Sequence, residues 1–396
     1  MAMNLTAAAI LPQDAAQATL VGRAHVPGNP GGPSPVLVEP EQVYDLSALS
    51  PTCAELLSRA DLLEAVKSSR AKPIGTLADV LANSDAETRD SQRPYFLAPC
   101  DLQTVKACGV TFVSSMLERV IEEQAKGDLK LAASIRKSLG AEIGASIASV
   151  KPGSPEAMRV KESLVKRNLW SQYLEVGIGP DAEVFTKAQP MSAVGVGAEI
   201  GIHPASHWNN PEPELVMVVN PRGDIVGAAL GNDVNLRDFE GRSALLLGRG
   251  KDNNGACAIG PFIRLFDRHF SLDDARATQI EIEVSGNDGF KMQGISDLKK
   301  ISRDIADLVG QTINPHHQYP DGLMLFLGTM FAPIQDRDAP GQGFTHKLGD
   351  TVTIRAARLG ALVNRVNHTD KIPPWNFGTQ ALIRNLAERG LLSAHR

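Results

Sequence analysis

Four cysteines in 396 residues, Cys53, Cys100, Cys108 and Cys257, form neither a CxxC pair nor a disulfide-like spacing. A disulfide framework is therefore excluded, and the pattern fits a reducing interior. Basic tracts are absent and the net charge is -5 with a pI near 6.0, which leaves no footprint for nucleic acid. No uninterrupted apolar segment approaches the ~20 residues of a membrane helix. Met1 to Ala9 lacks the basic start and the apolar length of a signal peptide. The expected setting is cytoplasmic, with no membrane and no nucleic acid as partners. Internal repeats are missing too, and the one biased stretch, Pro27 to Pro35, reads as a Pro/Gly-rich loop.

What is present is an ordinary globular composition, 43% apolar and 21% charged. The length suits about two or three domains with a substantial core. Ala18–Arg23, Val36–Val38 and Gln42–Leu46 read as strands, followed by a helical pattern from Thr52 to Asn83. Met116, Leu117, Val120 and Ile121 form the inner stripe of an amphipathic helix, with Glu118, Arg119, Glu122 and Glu123 on its polar side. Further helices are expected over Leu129–Ser138 and from Ser154-Pro155-Glu156 to about Leu174, the latter with a serine cap and proline in the first turn. Beyond Glu183 the chain turns to short apolar runs between Gly, Pro, Asn and Asp, with one helix expected over Ser296–Val309. Such a succession argues for α+β, a mixed β-roll or barrel, and against a doubly wound sheet. The expected division is a small β-rich N-terminal α/β module over residues 1–98 and a catalytic domain over 99–396.

The stretch from Trp208 to Pro261 concentrates the chemistry. Glu212 and Glu214 lie two apart just ahead of Leu215-Val216-Met217-Val218-Val219, so in an extended segment both carboxylates leave one face. Like charges on a strand that is otherwise to be buried repel and lose water, and a divalent cation is the usual remedy. Oxygen ligands of this kind suit Mg²⁺, Mn²⁺ or Ca²⁺. Asp233 follows in Gly231-Asn232-Asp233 and Lys251 in Gly250-Lys251-Asp252-Asn253. His203 and His207 are spaced like a zinc pair, but Pro204 breaks helical geometry between them and no companion ligand is evident.

These pieces, with Phe185-Thr186-Lys187, Gly260-Pro261, Gly328-Thr329 and Gly349-Asp350-Thr351-Val352, resemble in order and spacing the signature of the fumarylacetoacetate hydrolase family over roughly Cys108 to Val366. The resemblance implies a β-roll catalytic domain with a helical lid, here residues 109–177. It also implies Mg²⁺ or Mn²⁺ held by Glu212, Glu214 and Asp233, an active-site lysine at Lys251, and a 2-oxo-acid or diketone substrate. A lysine beside a cation is pushed toward its neutral form, so Lys251 is the expected proton carrier. Thr329 matches the family threonine that binds the substrate carboxylate, Lys187 a family lysine near the site, and Glu183 the place of a further acid in some relatives. A homodimer or homotetramer is expected on the same ground.

One departure is informative. Many family hydrolases and decarboxylases carry Gly-x-Asn-Tyr-x-x-His-x-x-Glu on the lid; here Gly109 to Glu118 places Ser115 at the histidine position and keeps the glutamate as Glu118. Serine offers no basic nitrogen, which removes a water-activating contribution of about 10²–10⁴-fold. The run Thr111-Phe112-Val113-Ser114-Ser115-Met116-Leu117-Glu118, with Gly255 to Pro261, looks most like the branch that dehydrates 2-keto-3-deoxy-D-pentonates. That branch is a lyase yielding 2-oxoglutarate semialdehyde; the alternative is a hydrolase or decarboxylase of acylpyruvates or diketo acids. In the dehydratase reading Lys251 takes the C3 proton and Glu118 protonates the leaving C4 hydroxyl. Glu118 reads equally as part of a solvated helix face. Arg237 orients substrate or pairs with Asp238 or Glu240, and Asp252, Asn253 and Asn254 contact substrate hydroxyls or build a turn.

Overall fold

The computed structural model describes residues 3–126, 128, 131–132, 134–135, 147, 150–166 and 170–392, and two sheets form its body. The larger sheet has 11 strands. Along its hydrogen-bonded path run Lys72–Thr76, Gln42–Asp45, Gly32–Val38, Leu20–Val26, Cys257–Leu265, Ile225–Asp233, Pro213–Val219, Leu323–Phe326, Thr104–Gly109 and Glu183–Ala188; Tyr95–Leu97 pairs with Leu20–Val26 off this path. The second sheet has 5 strands, Lys291–Asp297, Gln279–Ser285, Thr351–Ala356, Gly360–His368 and Glu199–Ile202. Both paths are open-ended. The expected roll is thus a pair of packed sheets, and the barrel form of that expectation is not found among the described residues.

Alternation explains why the central strands look apolar throughout. In Pro213–Val219, Leu215, Met217 and Val219 enter the core shared with Ile280, Ile282 and Ile354 of the second sheet. Val216 and Val218 point the other way, into a core closed by Leu56, Leu57, Leu62 and Val66 of the short helices Cys53–Ser58 and Leu62–Lys67. A strand covered on both faces needs no polar alternate. Gln279–Ser285, covered on one face only, does alternate, with Ile280, Ile282 and Val284 buried and Gln279 and Glu281 exposed. Residues 1–98 join the same sheet, since Leu20 and Val21 pair with Arg264 and Ile263.

Several boundaries differ from the sequence reading. The Thr52–Asn83 pattern resolves into three short helices with the strand Lys72–Thr76 before the last. Ser154 Oγ accepts from Ala157 N at 3.2 Å as expected of a cap, and the helix is described over Pro155–Lys166, but Ser171 is extended and caps a new helix, Gln172–Ile178. The helix expected over Ser296–Val309 begins only at Ile305, capped by Asp304, because residues up to Asp297 are held as a strand by Gln279–Ser285. The helix expected over Leu129–Ser138 lies for the most part outside the described residues. No helix among the described residues is long and apolar enough to cross a membrane.

Candidate active site and metal centre

Strand register brings the candidate residues to one end of the larger sheet. Glu214 lies opposite Gly231 in the antiparallel pair Pro213–Val219 and Ile225–Asp233, so the start of one strand meets the Asp233 end of the next. Cys257 opposite Asp233 brings in the short helix Leu247–Lys251 that precedes it. On the other flank Phe326 pairs with Val216, which carries Gly328 and Thr329 to the same end, and Glu183 opposite Gly109 arrives through the next two strands.

Glu212, Glu214 and Asp233 are buried, and each offers a carboxylate oxygen within 4.8 Å of the others. Lys251 Nζ lies 2.5 Å from Glu212 Oε2 and 3.0 Å from Asp233 Oδ2. Lys187 Nζ lies 2.8 Å from Asp233 Oδ1. Glu214 has a different environment: its recorded donor is the backbone N–H of Gly328, 2.7 Å from Oε2. Burial, then the charges of Asp233 and Glu212, push Glu214 well above the usual carboxylate range. Burial would also raise Asp233, but Lys187 and Lys251 outweigh it and hold it below its ordinary value. Gly328 suits this role because its φ of +87° is strained for other residues and an added Cβ would stand 2.1 Å from Thr111 Oγ1.

The expectation of a Lys251 pushed toward neutrality belongs to a site that holds a cation; the protein side chains alone act in the other direction. Burial works against the ammonium, yet Asp233, Glu212 and Glu240 outweigh it and raise the pKa above the ordinary lysine value. Glu183 is displaced in the direction of use to an acid: burial, then the Glu240 charge, pushes it up to about 7.

The helix Val113–Ala125 covers this end. Ser115, Glu118 and Arg119 stand three and four residues apart, hence on one face, while Met116 and Val120 anchor the opposite face in a small core with Leu174 and Ile178. Glu118 Oε2 lies 3.2 Å from Arg237, whose guanidinium stacks 4.4 Å from the Trp208 ring centre. Ser115 Oγ donates to Phe112 O at 2.8 Å and accepts from Phe112 N at 3.2 Å, tying down the first turn. Arg119, read from sequence as a solvated polar residue, bridges Glu212 at 2.8 Å and Glu240 at 2.9 Å. Its place four residues after Ser115, one helical turn on, was the available signal.

The cavity at the triad, about 30 Å³, is lined by the three acids, Lys251, Glu183, Arg119, Ser115 and Thr329; an adjoining lobe of about 20 Å³ adds Glu118, Arg237 and Asn210. Two residues expected to bind substrate line neither. Lys187 is fully buried, and beyond Asp233 its ammonium donates to Val234 O at 3.0 Å and Lys251 O at 2.5 Å, so its three donors are all taken by the protein. Asn253 Nδ2 donates to Arg249 O at 3.0 Å, closing the turn after the lysine helix. His203 packs on Phe239 and belongs to no ligand group among the described residues.

A model of the fumarylacetoacetate (FAA) hydrolase C-terminal family matches residues 166–367, and the chain belongs to that family. It is 30% identical over 190 residues to the 2-dehydro-3-deoxy-D-arabinonate dehydratase of Saccharolobus solfataricus, covering 48% of this chain and 60% of that protein. It is also 30% identical over 194 residues to the probable 2-keto-3-deoxyxylonate dehydratase of Haloferax volcanii, covering 49% and 63%. The chain thus spans about three fifths of the length of these curated relatives. A solved 2-keto-3-deoxy-D-arabinonate dehydratase complexed with magnesium and 2,5-dioxopentanoate shares the fold, with a TM-score of 0.59, 20% identity, and coverage of 88% of this chain and 99% of that one.

Proposed function

We propose that this chain is a hydro-lyase that dehydrates a 2-keto-3-deoxy-D-pentonate, 2-keto-3-deoxy-D-xylonate in the first instance, to 2-oxoglutarate semialdehyde in non-phosphorylative pentose catabolism. The observation that carries this reading is the buried triad Glu212, Glu214 and Asp233 beside Lys251, in a cavity where the position of a hydrolytic base is Ser115, tied to the Phe112 backbone. Adding water across a C–C bond needs a base there; expelling water needs an acid. The two relatives named as dehydratases of such sugar acids support the same choice.

Three carboxylates, one of them pushed toward its protonated form by burial and then by the other two, fit a hard divalent ion, and Glu212, Glu214 and Asp233 would hold it as Mg²⁺ or Mn²⁺. When bound, such an ion supplies Lewis-acid polarisation of the 2-oxo and carboxylate oxygens.

Lys251 is placed to move the C3 proton. Glu212 and Asp233 hold it as the ammonium, so it accepts a proton only after those carboxylates are engaged elsewhere. The acid role passes from Glu118 to Glu183, which burial keeps half protonated near neutrality, whereas Glu118 is held in its ion pair with Arg237. As the C3–H bond breaks, its electron pair forms the C3–C4 double bond and the C4 hydroxyl leaves with the Glu183 proton as water; loss of a C5 proton with return of a proton to C3 shifts the double bond to C4–C5, and the enol so formed loses its hydroxyl proton as C4 is protonated, giving the aldehyde. Thr329 is placed for the substrate carboxylate, and Arg237 with Glu118 for the distal hydroxyls.

The two lobes together are smaller than the ~300 Å³ and upward of ligand pockets. The Val113–Ala125 helix therefore acts as the lid, opening for substrate and closing to exclude water. We place the chain in the cytoplasm as a homodimer or homotetramer, with its four cysteines as buried free thiols.

A coupled assay tests the reading: 2-keto-3-deoxy-D-xylonate, Mg²⁺ and an NADP-linked semialdehyde dehydrogenase, with and without EDTA. Metal-dependent formation of reduced cofactor is expected. Silence there, with cleavage of an acylpyruvate into two fragments, makes the chain a hydrolase instead.

A further inference from the structure

A second cavity, of about 390 Å³, opens where the N-terminal strands, the 191–198 loop and the C-terminal helix Thr379–Glu388 meet, and it shares no lining residue with the carboxylate cavity. Its size lies within the range of small-molecule sites. Tyr95, Phe96, Leu97, Val194 and Phe377 give it apolar walls.

The charged side chains that line this cavity are of one sign, with Asp85 and Glu199 acting on Arg89 from outside the lining. Arg23 is 5% exposed, and its recorded bonds run to Cys100 O at 3.0 Å and the Met191 sulfur at 3.6 Å, with no carboxylate within ion-pair distance among the described residues. Arg89 donates to Ser84 O at 2.7 Å and lies 4.5 Å from the Tyr95 ring centre, while its buried Nε has no acceptor among the described residues. Arg389, from the end of the C-terminal helix, donates to Pro33 O and Ser34 Oγ at the rim. His25 stacks on Tyr95 with ring centres 4.9 Å apart; burial, with Arg389 and Arg89 nearby, holds it below the usual histidine value. A buried guanidinium whose partners are a carbonyl and a thioether carries an uncompensated charge that an anion would neutralise.

We infer that this cavity is a binding site for a small organic carboxylate with an apolar or aromatic body, its anion met by Arg23 and Arg89 and its body laid against Tyr95, Phe96 and Phe377. Arginine forks match a carboxylate, and the apolar walls favour an amphipathic ligand over a bare ion.

The test is a fluorescence titration of the full chain with 8-anilinonaphthalene-1-sulfonate, an aromatic anion, beside its uncharged counterpart N-phenyl-1-naphthylamine. One saturable sulfonate site per chain is expected, weakened at least tenfold by Arg89→Gln, with affinity for the uncharged probe changed less than twofold. Arg23→Met should act likewise; since that buried variant is open to misfolding, the Arg89→Gln result decides. Phenylacetate should displace the dye where equal inorganic phosphate does not. Sulfonate binding that ignores Arg89→Gln, or an equal loss for both probes, overturns the site; displacement by phosphate alone overturns the carboxylate assignment.

Discussion

Glu214 and Asp350 are both buried carboxylates, and their surroundings differ in kind. Asp350 accepts from both terminal nitrogens of Arg337, at 2.6 and 2.7 Å, and from Lys347 N at 2.9 Å, with His346 Nδ1 at 3.3 Å. Burial would raise its pKa, but Arg337 and His346 prevail and hold it below the ordinary value. Glu214 has the Gly328 N–H and two neighbouring carboxylates, and moves the opposite way. A buried acid saturated by its own chain holds the fold; one left short of donors among like charges holds something the chain does not supply.

The sharpest way to break this contrast is Glu214→Gln. Turnover should fall about 10³-fold, ~4 kcal/mol of lost transition-state stabilisation, and the rise in melting temperature on adding Mg²⁺ should vanish. In EDTA the variant should melt no lower than the parent, since an uncharged amide is easier to bury. A preserved Mg²⁺ response would remove Glu214 from the metal site.

Asp350→Asn should do the reverse. Leaving Arg337 without its bidentate partner should destabilise the fold by about 3–5 kcal/mol, read from denaturant unfolding, while the Mg²⁺ response persists. Being held low, Asp350 contributes stability above the ordinary aspartate range that is lost as pH falls through its lowered pKa, and the variant should lack that acid-sensitive component.

Glu183→Gln tests a third kind of acid, one half-buried at the cavity wall. A loss in kcat of about 10² or more is expected for a removed general acid. Because Glu183 is raised to about 7, parent turnover should decline as pH rises through about 7, and this limb should be missing in the variant. The stability effect has a fixed sign: the folded state holds this proton more tightly than the unfolded chain, so the group's contribution is full below the ordinary glutamate value and is lost as pH rises toward 7. The variant should therefore gain on the parent at pH 8 relative to pH 4. The smallest effect belongs to Asn253→Ala, whose side chain closes a turn; KM and kcat should stay within about twofold.

The proposed metal ligands were legible in the sequence because their signal is local. Glu-x-Glu ahead of an apolar strand places two acids on one face whatever follows, Asp233 closes the apolar run Ile225–Asp233, and Lys251 stands shortly before the next one, Cys257–Leu265. Lys187 shows where locality ends. Its position near the site was legible, but its three acceptors come from Asp233, Val234 and Lys251, 46 to 64 residues away, and their convergence makes it a brace for the ligand loop. Lys291–Asp297 was read partly as helix for a similar reason. It offers few apolar residues of its own and is a strand because Gln279–Ser285 pairs with it.

The sequence by itself determined the family, the acidic triad, Lys251 and the replacement of a histidine by Ser115, since these rest on residue identity and short spacing. Only the tertiary structure decided the pairing of Lys251 with Glu212 and Asp233, the recruitment of Arg119 to Glu212 and Glu240, and the elevation of Glu183. Those properties arise from burial and from through-space Coulomb interactions between residues far apart in the chain, and neither quantity exists until the strands are in register.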